Sequence, residues 1–259
     1  HNTTCLAIDN THRIENTIKS LIHCKNVAKF SEVNLVTTKA LCSKYKDALS
    51  HHEIVAEEQV APLTNIDEYN FYILYNLHNH IETNHVLIVQ DHAFIINPQA
   101  WREEFLDYDY IGAPWPLSET TYITPFNERA RVGNGGFSLR SQKLLTVPNY
   151  TPIPFHVSER RDFYQMFGQT NTNEDGNICV HNKHLFEKAG CKFAPIEVAR
   201  YFSYENPVPE NSGILPFGFH KKLPTVKPCT PEVENNRYTN TANIKNYENR
   251  RITTKIYHR

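Results

Sequence analysis

Between residues 3 and 90, four short apolar runs alternate with three stretches of helical periodicity. The runs are 3–9 (TTCLAID), Val33–Thr37, 53–56 and 85–90, and the last, HVLIVQ, is the most apolar strand of the chain. Between them, Arg13–Cys24 repeats Ile14, Ile18, Leu21 and Ile22 at helical spacing, and a short helix fills 39–49. Asn65–Thr83 sets Ile66, Tyr69, Ile73, Leu77 and Ile81 on one face, with Asn65 or Thr64 suited to cap it. Strand–helix repeats of this length imply a mostly parallel sheet covered on both faces, because each crossover lays a helix on the sheet. The expected class is α/β, a Rossmann-type central sheet flanked by helices. In such sheets ligands bind beyond the carboxyl ends of the strands, where Thr11, Thr37, Lys39 and Asp91 would share one rim.

The second half reads differently. Residues 107–116 (DYDYIGAPWP) predict a strand ending in Pro-bounded turns, and Leu117–Arg131 is polar and aperiodic, as in a mobile loop over a site. A connection rich in proline (Pro148, Pro152, Pro154) leads to a helix expected near 159–167. Past His220 the chain turns Asn-, Thr- and Lys-rich, with Pro224, Pro228 and Pro231. One domain over 1–223 is therefore expected, followed by a polar tail, 224–259, that packs on the domain or is partly disordered.

Bulk properties exclude several classes. A chain of 259 residues can bury a sizeable core. Its 27 Lys and Arg nearly balance 28 Asp and Glu, which leaves no electrostatic footprint for nucleic acid and no basic membrane patch. No apolar run approaches bilayer-spanning length. Six cysteines without C-x-x-C or zinc spacing read as reduced thiols, pointing to a cytoplasmic protein, at most peripheral to a membrane. The chain opens on His1 rather than Met, which leaves room for a segment removed ahead of it.

Three constellations could carry chemistry. Gln90, Asp91 and His92 close the most apolar strand, and a carboxylate there is costly unless solvated, paired or bound to a metal; a turn or cap acid is the plainer alternative. VGNGGFSLRS (132–141) packs three of the chain's nine glycines into four positions. Such density suits close backbone approach to a ligand, or a tight hairpin. It fits neither phosphate-loop pattern, since no helix clearly follows a strand there. Glu174 and Asp175 precede an apolar segment, as first-turn helix acids or as a pair in which one carboxyl is held at raised pKa to serve as general base.

In order, these stretches resemble a family of GT-A-type glycosyltransferase-like domains. Its landmarks are Q-x-D-G, N-P-x-x-W-x-x-E-F-L-x-Y-D-Y-I-G-A-P-W, G-N-G-G-F-S-L-R-S and an E-D pair. The matching stretches are Gln90–Ala93, Asn97–Trp115, Gly133–Ser141 and Glu174-Asp175, then FAPIEVARYFSYE (193–205) and Gly218–His220. The resemblance spans roughly residues 3–222 and implies a GT-A-like fold. It also implies a nucleotide-sugar donor, a glycan acceptor, and a Mn²⁺ or Mg²⁺ ion held by Asp91, His92 and His220 against the diphosphate. One departure stands out: His92 occupies the place of the family aspartate, and Asp91 falls one position earlier. Neighbouring side chains on an extended segment point opposite ways, so Asp91 does not simply replace it: either the loop slips by one residue, or His92 binds the cation, or catalysis needs no metal.

The resulting expectation is a glycosyltransferase, inverting, acting in surface polysaccharide or glycoconjugate synthesis. Thr11, Thr37 and Lys39 would line the nucleotide end, with Gln90, Asp91 and His92 at the diphosphate. Gly135 and Gly136 would admit donor sugar or acceptor, and Asp175 would be the base, with Glu174 as substitute. The alternatives are a non-catalytic nucleotide-sugar- or glycan-binding module with a degenerate metal site, and a nucleotidyltransferase.

Overall fold

The computed structural model describes residues 2–59, 62–117, 122–155 and 173–221. The helix expected near 159–167 and the tail 224–259 lie outside these residues. β1 (Thr3–Ile8) is buried at every position because it runs through the middle of the main sheet. β2 (Glu32–Thr37) and β4 (His85–Val89) flank it in parallel, and β3 (Val55–Glu58) extends the sheet beyond β2. On the other side β9 (Phe137–Ser141) pairs with β4, and β6 (Tyr110–Ile111) pairs with β9, both antiparallel. The order is β3-β2-β1-β4-β9-β6. The expected mostly parallel sheet is thus parallel over four strands and mixed at the far edge.

The alternation of side chains explains why these strands read as continuous apolar runs. Cys5, Ala7, Leu87 and Val89 enter one core, with Ile14, Ile18 and Leu21 of α1 (Ile14–Val27). Their neighbours Leu6, Ile8, Val86 and Ile88 enter the other, with Ile73 and Leu74 of α3 (Ile66–Tyr75). Both faces are covered, so β1 and β4 carry apolar side chains at successive positions, Cys5–Ile8 and Val86–Val89. α2 (Lys39–His51) starts at Thr38, whose hydroxyl accepts from the Leu41 N–H. At α3 the Asn65 side chain accepts from the Glu68 N–H at 2.9 Å, while the Glu68 carboxylate accepts from the Thr64 N–H at 2.6 Å. That reciprocal cap fixes the start of the helix where the sequence placed it.

Several expectations need correction. The helix expected through Thr83 stops at Tyr75, and a 3-10 turn, Leu77–His80, follows. The cause is a tether to the sheet edge: His80 sits 2.5 Å from Glu57 of β3 and 2.6 Å from the Tyr72 hydroxyl, although Leu77 and Ile81 still reach the core. The strand expected over 107–116 divides at Gly112 into β6 and β7 (Ala113–Pro114), the latter pairing with β8 (Val132–Gly133). A Cβ on Gly112 would lie 1.7 Å from the Gly133 carbonyl, so the two backbones cross in contact there. In the segment expected to be a mobile loop, described residues 122–131 form a hairpin. It has an Ile123–Arg129 bridge and Asn127 at φ 63°. A short helix, Gln142–Thr146, does follow β9, contrary to the sequence reading, but the glycines precede that strand.

A second small sheet sits beside the first. β11 (Gly218–His220) lies between β10 (Ser203–Tyr204) and β5 (Ala93–Ile95), opposing His220 to Ala93. It brings the end of the described chain to the carboxyl edge of β4.

Candidate functional site

The site forms where β1, β2 and β4 end. Asp9 ends β1: one carboxylate oxygen accepts from the Thr11 N–H at 2.7 Å, the other from the Thr17 hydroxyl at 2.5 Å. Thr37 ends β2 with a buried hydroxyl that has no hydrogen-bond partner, and Lys39 begins α2, exposed. At the end of β4, the Gln90 N–H donates to the Gly136 carbonyl at 3.0 Å and its side-chain amide to the Tyr69 hydroxyl at 3.0 Å.

Asp91 does not stand alone. Its Oδ2 lies 3.1 Å from Nε of Arg13 and 3.0 Å from Nε2 of His92, while Nη1 of Arg13 is 3.4 Å from that same imidazole nitrogen. Arg13 precedes the first turn of α1, 78 positions away in sequence.

The glycine segment supplies the opposite wall. A Cβ on Gly135 would lie 1.7 Å from Oε1 of Glu174, and one on Gly136 would lie 2.2 Å from Nε2 of His220. These glycines therefore admit two of the chain's own side chains, where the sequence reading had them admit a ligand. His220 is buried, neither ring nitrogen makes a hydrogen bond, and Nδ1 is 3.5 Å from Glu205.

Adjacent in sequence, Glu174 and Asp175 separate completely in environment. Glu174 is buried and both its oxygens accept from Nη2 of Arg140 at 3.0 Å. Arg140, itself fully buried on β9, lies over the Tyr110 ring. Asp175 keeps an edge toward solvent and accepts from the Gly135 N–H at 3.0 Å and the Gly176 N–H at 2.7 Å. Burial of the carboxyl, then the nearby charges of Glu174 and Glu205, push it up to about 7 despite those two donors. A carboxyl with that pKa is divided between proton donor and proton acceptor near neutral pH.

The structure thus gathers Gln90, Asp91, His92, Gly135, Gly136, Glu174, Asp175 and His220 around one corner, linked through the 90–93 backbone. Thr11, Thr37 and Lys39 stand on the same edge, at the ends of β1 and β2. Asp9, Arg13, Tyr69 and Glu205 belong to the corner and were not singled out from sequence. Asp9 was within reach, since it ends an apolar strand just as Asp91 does. Glu205 ends the 193–205 stretch that matches the family landmarks, whereas Arg13 carries no local signal.

The cation expected at Asp91, His92 and His220 does not fit this arrangement. Among the described residues no three His, Cys, Asp or Glu side chains gather to hold a metal ion. A cation at Asp91 would also have to displace a guanidinium already paired with its carboxylate.

Fold and site together define an α/β protein with a cluster of ionisable side chains at the carboxyl rim of its sheet. The chain belongs to the family described as "Protein of unknown function (DUF5672)", which matches residues 54–220. No curated protein matches it. Among solved structures, it is similar to 4-diphosphocytidyl-2C-methyl-D-erythritol synthase from Anaerococcus prevotii DSM 20548, at 16% identity and a TM-score of 0.36, over 72% of this chain and 95% of that one. It is also similar to the apo form of the glycosyltransferase GlyE of Streptococcus pneumoniae TIGR4, at 8% identity and a TM-score of 0.49, over 88% of this chain and 55% of that one. At these identities neither neighbour's activity transfers to this chain. No helix among the described residues is long and apolar enough to cross a membrane.

Proposed function

We propose that this protein is a glycosyltransferase that moves a sugar from a nucleotide-sugar donor to a hydroxyl of a glycan acceptor, with inversion. The observation that carries the reading is Asp175. Its partner Glu174 is consumed by Arg140, its own carboxyl is pushed up to about 7, and two backbone N–H groups fix its direction. Such a group suits general-base work, because its proton affinity lies near the working pH. As the acceptor oxygen bonds to the anomeric carbon, its proton passes to the Asp175 carboxylate. The bond from that carbon to the diphosphate oxygen breaks, and the nucleoside diphosphate leaves with the electron pair. Thr11, Thr37 and Lys39 would take the nucleotide end, and Gln90, Asp91 and His92 the diphosphate end. The resemblance to GT-A-type domains along residues 3–222 supports this reading.

The second reading is a binding module without catalysis, favoured by the engagement of Asp91 with Arg13 at the expected metal position. One experiment separates the two. A panel of nucleotide-sugars is incubated with glycan acceptors and scored for released nucleoside diphosphate, alongside donor binding by calorimetry. Transfer that falls about a hundredfold or more in Asp175→Asn, at nearly unchanged donor affinity, supports the base. Donor binding without turnover of any donor leaves the binding module.

A further inference from the structure

We infer that Arg13, aimed by Asp91, neutralises the diphosphate in this protein, in the place where a divalent cation was expected. The inference rests on the nucleotide-sugar reading and assigns the ligand subsite within it. The guanidinium is held along one edge: Nε forms an ion pair with Oδ2 of Asp91 at 3.1 Å, without hydrogen-bond alignment, and Nη1 is within hydrogen-bond distance of Nε2 of His92 at 3.4 Å. Asp91 is nearly buried, whereas about a third of the Arg13 side chain remains exposed. The carboxylate thus acts as a fixed bracket and the guanidinium as the accessible end.

The chemistry favours this division of roles. A guanidinium is planar, always charged, and presents a fork of N–H donors that matches phosphate oxygens, so a bracketed arginine offers charge and direction together. His92, 3.0 Å from the same carboxylate oxygen, limits where the fork can swing. The position is also right, because Arg13 stands after β1 and Asp91 after β4, neighbouring parallel strands whose carboxyl ends share one rim. On this reading the displaced family aspartate loses nothing: the acid one place earlier holds the arginine and touches no metal.

The test uses the full chain and a panel of UDP, GDP, CDP and ADP with their parent nucleosides. Binding is measured by calorimetry in excess chelator and again with Mn²⁺. The expected result is that at least one nucleoside diphosphate binds in chelator, with affinity changed less than about threefold by Mn²⁺. Arg13→Gln should weaken that binding about tenfold or more while leaving the nucleoside unaffected, since a charge-assisted hydrogen bond to phosphate is lost. Arg13→Lys should fall between the two, keeping the charge without the fork. Unchanged thermal stability of both variants separates lost binding from lost fold. Binding that requires Mn²⁺ and persists in Arg13→Gln overturns the inference and leaves the nucleotide-sugar reading standing. Failure of every nucleoside diphosphate to bind, with or without Mn²⁺, overturns that reading as well.

Discussion

Replacing Asp175 by Asn should make the protein gain stability relative to wild type as pH rises. A carboxyl whose folded pKa lies above its unfolded value stabilises the fold fully below the unfolded pKa, and that contribution is lost as pH climbs to the folded value. Here the two limits are 3.8 and about 7. At about 1.36 kcal/mol per pH unit, ionisation costs wild type roughly 1.5 kcal/mol at pH 5 and about 4 at pH 8. Asp175 keeps an edge toward solvent, which screens part of this and leaves about 1–2 kcal/mol between the two pH values. The Asn variant carries no such term. It has a fixed cost of about 1 kcal/mol instead, because its amide cannot accept from both the Gly135 and Gly176 N–H groups. For a chain of this size, one kcal/mol moves the melting temperature by about 2–4 °C. Differential scanning calorimetry in matched buffers should then show the Asn-minus-wild-type difference rising by about 2–8 °C from pH 5 to pH 8. Titrating groups not coupled to Asp175 are common to both chains and cancel. A difference that stays flat across this range means that Asp175 is an ordinary carboxylate, and the general-base assignment fails with it.

Two further outcomes test the walls of the site. Gly135→Ala places a methyl group 1.7 Å from the Glu174 carboxylate, so urea unfolding should show a loss of about 1–3 kcal/mol, with Arg140 left less well paired. Glu174→Ala strands the fully buried Arg140 charge and should cost about 3–5 kcal/mol, whereas pairing it with Arg140→Met should recover much of that loss; a double variant no more stable than the single one refutes the stranded-charge account.

The first ninety residues were legible because period decides them. Ile14, Ile18 and Leu21 repeat at helical spacing and bury one face of α1, and the Thr64–Glu68 stretch spells out a cap. Beyond residue 107 the described strands are short and, Val132 apart, buried, so alternation gives no signal. β9 even buries Ser138 and Arg140, polar residues whose partners lie elsewhere in the fold. The site was half legible for the same reason. Sequence located Asp91, the glycine segment and the Glu174-Asp175 pair. The guanidiniums that distinguish them come from 78 and 34 positions away, and local pattern cannot bring such residues together.

The reversal of β9 has a consequence for the order in which the molecule is built. Running against β4, this strand sets its first residue, Phe137, opposite Val89, so the glycines ahead of it arrive at the carboxyl edge without a crossover connection. The corner is thereby assembled from stretches near 9–13, 90–93, 133–136, 174–176 and 218–220. Each closure over such distances along the chain is slow compared with forming a helix or a turn. β11, the last of the described strands to leave the ribosome, must slot between β5 and β10 before His220 can meet Gly136. A refolding chain will therefore show its helical signal early, and on the nucleotide-sugar reading its ligand capture in a stopped-flow experiment comes late, as a clock for the final docking event.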